Sequence, residues 1–364
     1  MIKKTLKITL FLIFFICGLC HAQEAGATDS FWNGIGKVAS FGRPFWADMH
    51  STLLRAEIAY ATNSPDYDWG GFDTSSRFYI FSNLGVDIPV WSGDFANSRY
   101  GFNLTLPFMI DIWFDFFERT TSPVINTAYR FGAFEANFIY RLSSPIPVLP
   151  YFNIHNWSLK LSLLKHESTH IGDELTIYRK DLGLPITRID VLSNHGELVF
   201  TLNDPDNQAR VNHGFKFGLL LNYNLRAGWY GFLDTEADPE AVEPARFPFE
   251  FNIQYQYQSP LFYRGFQAIA SAEWRLRQRY KYSFSYSGSK NEQLQNNPDI
   301  MENYESRNLV SSFNFFAGIR YDNQKPNYFS KTGVGARFYF GQNPYGQFRS
   351  MPHFRQFGLA AIFE

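Results

Sequence analysis

Phe102-Asn103-Leu104-Thr105-Leu106-Pro107-Phe108-Met109-Ile110-Asp111-Ile112-Trp113-Phe114-Asp115-Phe116 is the stretch that decides the fold. Every even position in it is apolar, while the odd positions include Asn103, Thr105, Asp111 and Asp115. A period of two marks an extended strand. A strand of a soluble sandwich is usually only about five or six residues long. One wholly apolar face backed by carboxylates suits a wall with lipid outside and a wet lumen inside.

The same alternation recurs at 52–60, 77–90, 127–141, 157–166, 188–202, 212–223, 247–257, 266–277, 309–322, 332–340 and 355–364. The reading is therefore all-β: a transmembrane antiparallel outer-membrane β-barrel of about 12 strands, within a range of about 10 to 14, and bacterial barrels favour even numbers. Placing the N- and C-termini in the periplasm makes Ala61–Ser76, Arg226–Arg246, Lys281–Asn308 and Gly341–His353 the outward connections, which in such barrels are the long ones. Pro-rich Ser143–Asn156 reads as an inward connection of unusual length. The last strand ends Phe357, Leu359, Ala361, Phe363, which resembles the C-terminal signature that barrel-assembly machinery reads, with Glu364 following the aromatic.

The first residues carry Lys3, Lys4 and Lys7, an apolar run from Ile8 to Leu19, and Cys20-His21-Ala22, the layout of a secretory signal peptide cut after Ala22. A lipoprotein start at Cys20 is the rival, disfavoured by Leu19 before it. The division expected is 1–22 signal peptide, 23–50 periplasmic N-terminal segment or lumen plug, and 51–364 β-barrel domain. Cys17 and Cys20 are the two cysteines, so a chain cut there has no disulfide framework. With 33 Lys+Arg against 34 Asp+Glu there is no basic balance for nucleic acid. The expected partners are outer-membrane lipid, lipopolysaccharide and the assembly machinery of a Gram-negative-type cell, with no cofactor.

The chemistry-bearing residues concentrate in Trp157–Glu174, where a strand with Leu159, Leu161 and Leu163 on one face leads to His166, Ser168, His170, Asp173 and Glu174. His166-Glu167-Ser168-Thr169-His170 matches the zinc-protease string His-Glu-x-x-His, which binds metal only on a helix. On a strand, residues four apart are about 13 Å distant, so no metal site is expected. Ser168 flanked by His166 and His170 suits a nucleophile with its base, with Asp173 or Glu174 to orient it. Unbroken parity from Ser158 and Lys160 turns His166, Ser168 and His170 toward the lumen at the external mouth, unless a bulge intervenes.

His166-Glu167-Ser168 resembles the His-x-Ser string that outer-membrane phospholipases and lipid A deacylases carry on a barrel strand near the outer leaflet. Those enzymes follow Ser with Asn, where Thr169 stands here, and their dyad faces lipid. The longer run His166 to Glu174, with Arg188-Ile189-Asp190-Val191, resembles the His-x-Ser-Ser-His-Leu-Gly-Asp-Glu string of an uncharacterised family of exported bacterial proteins, catalogued as domain of unknown function 1207. That resemblance implies no activity. The leading expectation is a barrel with a narrow-pore, binding or structural role, its polar cluster holding the mouth beside Arg55/Glu57, Glu135/Arg141 and Glu273/Arg275/Arg277. The alternative is an acyl hydrolase using Ser168, His166, His170, Asp173 and Glu174.

Overall fold

The computed structural model describes residues 34–37, 39, 41–66, 73–95, 98–115, 124–150, 152–171, 188–204, 211–230, 249–263, 265–278, 309–322, 331–344 and 353–364. The segment read as a signal peptide, the loop 281–308, Asp173 and Glu174 lie outside these residues. The strands are β1 (Leu54–Asp66), β2 (Asp73–Phe95), β3 (Tyr100–Phe114), β4 (Val124–Gly132) and β5 (Glu135–Leu149). They continue as β6 (Phe152–Ile171), β7 (Arg188–Leu202), β8 (Asn212–Tyr230) and β9 (Phe249–Gln258). The last four are β10 (Phe266–Gln278), β11 (Leu309–Asp322), β12 (Lys331–Gly341) and β13 (Phe354–Phe363).

All neighbours are antiparallel, and β1 pairs with both β2 and β13, so the sheet closes on itself. β4 and β5 both lie between β3 and β6 and form one wall position broken at Ala133–Phe134. The wall thus has the twelve strands expected. One expectation changes: much of 143–156 is strand rather than loop, because β5 runs to Leu149 and β6 starts at Phe152.

Burial is inverted relative to a soluble protein. On β9, Glu250, Asn252, Gln254, Gln256 and Gln258 are buried, while the residues between them are half-exposed. On β13, Leu359 is 70% exposed and Gln356 is buried. Only a hydrocarbon exterior makes such a surface favourable. Tyr100, Tyr140, Trp157 and Phe200 line up across four wall positions at one rim, with successive ring centroids 5.0, 5.8 and 6.2 Å apart. This is part of the aromatic girdle that marks a membrane boundary. No helix among the described residues is long and apolar enough to cross a membrane. Leu359 sits near the middle of β13, so Leu359→Arg should cost about 2–4 kcal/mol of folding free energy, as a cation at the midplane does. Reversible unfolding from lipid vesicles measures it, and a cost near zero would contradict the outward assignment.

Residues 41–53 pack inside the barrel. The amides of Gly42, Trp46, Ala47 and Met49 donate to Asp204, Gln256, Ser271 and Glu273 side chains. Asn314 donates to the Ala47 carbonyl and Lys216 Nζ to that of Arg43. Trp46 is fully buried, and its Nε1 donates to Glu364 at 3.0 Å. Gly333 makes room for it, since a Cβ there would meet the Trp46 ring at 2.7 Å. Satisfying the backbone of an irregular segment through wall side chains is what allows it to occupy the interior.

Candidate functional site

Strand β6 starts with regular alternation: Ser158 and Ser162 are buried inward, and Leu159 and Leu161 face out. Then Leu163 and Leu164 are both exposed. The pairing with β7 shifts there, from Ser162↔Glu197 to Lys165↔His195, so Leu163 and Leu164 of β6 together oppose the single Gly196 of β7, one residue in excess. This β-bulge reverses the parity of everything beyond it. Lys165 and Glu167 turn into the lumen, and His166 and Ser168 turn to the outer face.

The sequence expectation of an inward dyad is therefore corrected, and the physical reason is charge. Holding strict alternation would place Lys165 and Glu167 against lipid. In the lumen, Lys165 pairs with Glu135 at 3.0 Å and with Glu197, while Lys160 reaches the same two carboxylates at 3.5 and 3.3 Å. Glu167 pairs with Arg130 at 3.0 Å, and Arg130 with Asp111 at 2.8 Å. The expected pair Glu135/Arg141 does not form, since Arg141 binds Asp94 at 2.9 Å. Glu57 takes Arg337. Glu273 and Arg275 do pair, and Arg277 joins Glu250 at 2.9 Å. Arg130, Glu135, Lys160, Lys165, Glu167 and Glu197 border a luminal cavity of about 80 Å³, room for a few waters.

On the outer face, His166 lies directly across from Phe131 of β4 and from Asn194 of β7. Its ring sits 4.8 Å from that of Phe131, centroid to centroid. Nδ1 is 2.9 Å from Asn194 Oδ1. A carbonyl oxygen only accepts, so a proton on Nδ1 satisfies this contact. Ser168 follows two residues on, on the same face, opposite Tyr129 and Leu192 in the two registers. Strand spacing puts its Cα about 6.6 Å from that of His166, within reach of a side-chain hydrogen bond.

Of the five residues picked from sequence, His166 and Ser168 share the outer face of β6. His170 continues the strand opposite Thr127, with its side chain outside the described set. Among the described residues, no group of three His, Cys, Asp or Glu is disposed to hold a metal ion. Asn194 was not picked from sequence. It is 28 residues from His166, and only the β6–β7 register brings it near.

Height along the wall follows from the strand. Ser168 lies eleven residues beyond the girdle residue Trp157, one of them absorbed by the bulge. At about 3.3 Å per residue and a tilt near 40°, that is about 25 Å along the membrane normal. The apolar band of such barrels is about 25 Å tall. Ser168 thus sits at the opposite boundary, where the ester bonds of a glycerolipid lie between tails and headgroup. A hydroxyl, an imidazole and an amide oxygen beside its Nδ1 are the parts of an acyl-transfer site.

No known family profile matches the chain, and no curated protein does. Among solved structures, it is similar to the translocator domain of the autotransporter NalP from Neisseria meningitidis, with 10% identity over 85% of this chain and 87% of that one and a TM-score of 0.39. The transport unit of the autotransporter AIDA-I from Escherichia coli matches at 9% identity over 89% and 93%, with a TM-score of 0.41. A Pseudomonas aeruginosa FadL homologue matches at 8% identity over 85% and 90%, with a TM-score of 0.32.

Proposed function

We propose that this chain is an outer-membrane acyl hydrolase that cleaves esters of membrane lipid at the lipid-facing side of its wall. The observation that carries the reading is the bulge at Leu163–Leu164, which delivers His166 and Ser168 to the outer face with His166 bonded to Asn194. With both termini in the periplasm, β6 runs outward and the site meets the outer leaflet, where phospholipid and lipopolysaccharide are the available acyl esters. Ser168 Oγ attacks the ester carbonyl while His166 Nε2 takes its proton. His166 returns that proton to the departing alcohol, and water then releases the acid from the acyl-serine by the same route. Asn194 holds the ring in the tautomer this requires. The narrow-pore alternative has less support, because residues 41–53 and the ion pairs occupy the interior.

The test is fatty-acid release from phospholipid vesicles and from lipopolysaccharide by the purified wild type and Ser168→Ala. Release by the wild type, eliminated in Ser168→Ala with an unchanged melting curve, is the expected result. No release from either lipid by the folded wild type would overturn the hydrolase and leave a structural barrel.

A further inference from the structure

The hairpin joining β5 to β6 outlasts its neighbours. β3 stops pairing with β5 at Tyr100↔Tyr140, and β7 stops pairing with β6 at Leu202↔Trp157. Beyond those positions the two strands continue as a ribbon, paired with each other at Ile146↔Ile154 and Leu149↔Phe152. From Leu142 to Ile154 the sequence contains no charged residue. Over residues 145–149 both faces of β5 are apolar and uncovered: Ile146 is 50% exposed, Val148 49% and Leu149 64%. Water rarely surrounds such a surface, which marks a binding or membrane contact.

We propose that this ribbon lies in the membrane boundary at the rim where β1 begins and β13 ends, with lipid covering Ile146, Val148 and Leu149. Three observations favour lipid over a protein strand. Pro145, Pro147 and Pro150 remove amide donors from β5 and its turn, which blocks strand addition along that edge. The β6 edge is capped: Asn203 Oδ1 accepts from the His155 amide at 2.7 Å, and its Nδ2 donates to the Asn153 carbonyl at 2.8 Å. The ribbon is also continuous with the lipid-facing girdle. Phe152 packs on Phe215 at 5.5 Å, Phe215 on Tyr255 at 5.0 Å, and Tyr140 on Trp157 at 5.8 Å. A surface without charge on either face offers a soluble partner no polar rim, whereas hydrocarbon needs none.

The test does not depend on hydrolysis. Nitroxide labels are placed at Val148→Cys and Leu149→Cys in the full chain carrying Cys17→Ser and Cys20→Ser, and reconstituted into phospholipid vesicles. Collision with oxygen, which partitions into lipid, is compared with collision with a water-soluble nickel chelate. Leu359→Cys provides the lipid reference and Ser98→Cys, in an exposed turn, the aqueous one. Oxygen-dominated relaxation at both ribbon positions is expected. Nickel-dominated relaxation at either position would overturn the proposal, including the case where a soluble protein is the true partner. Where a cysteine variant fails to fold, Leu149→Trp takes its place: brominated lipid should quench its emission beyond that of the tryptophans already present in the wild type, and no quenching beyond the wild type overturns it equally.

Discussion

Replacing His166 with alanine should lower lipid hydrolysis on the order of 10⁴-fold, the scale on which triad members act, and leave the barrel folded. The ring projects from the wall and touches Phe131 and Asn194 at its rim, so little packing is lost. Asn194→Ala should cost less, about 10²-fold, because the base survives but is no longer held in one orientation and tautomer. Asn194→Asp should recover most of the rate, since a carboxylate accepts from Nδ1 in the same position. Kinetics on mixed lipid–detergent micelles, with melting curves alongside, check all three. A fully active Asn194→Ala protein would remove the amide from the site. A His166→Ala protein that melts early would instead indicate that the ring is part of the wall's packing.

The second large effect lies in the lumen. Glu57 and Arg337 have fully buried side chains and an ion pair of 2.6 Å. Gln356 Nε2 donates to the same carboxylate at 2.7 Å, and Arg337 Nε donates to Asn314 at 3.0 Å. Glu57→Leu removes the carboxylate while the guanidinium stays out of water, which should cost about 3–5 kcal/mol. The double change Glu57→Leu with Arg337→Met should recover most of that loss, because it leaves no buried charge behind. Urea unfolding from lipid vesicles gives the three values. If the single and double variants were equally unstable, the loss would come from packing and not from the stranded charge.

Strand count and facing were legible because lipid imposes one simple pattern on a wall, and burial alternates without interruption along Phe354–Phe363 and Tyr100–Phe114. The site was harder for a definite reason. Counting by twos from Ser158 assumes an unbroken strand, and one bulge reverses every face after it. The signal was nevertheless in the chain: Leu163 and Leu164 are adjacent apolar residues, and the charges after them fall on odd positions, at Lys165 and Glu167. Asn194 carried no such mark, since its role depends on which residue of β7 stands opposite His166. The prolines at 145, 147 and 150 pointed to a loop because they spoil a central strand, yet an edge tolerates them. Glu364, the residue after the terminal aromatic, turns its carboxylate inward and accepts from Trp46 and Lys331.

The inner segment has a consequence for how the chain reaches this state. Its amides and carbonyls, from Gly42 to Ala47, bind groups 162 to 267 residues later, and Trp46 binds one 318 residues later. None of those acceptors and donors is in place until β7 to β13 have joined the wall. Contacts of such long sequence separation form late and slowly, because the loops they close must be ordered first. The stretch made early therefore waits for the strands made last, and sealing the seam between β1 and β13 encloses it. Seating of Trp46 and closure of the barrel become one event, so the quenching or shift of Trp46 emission on burial marks the final step of assembly.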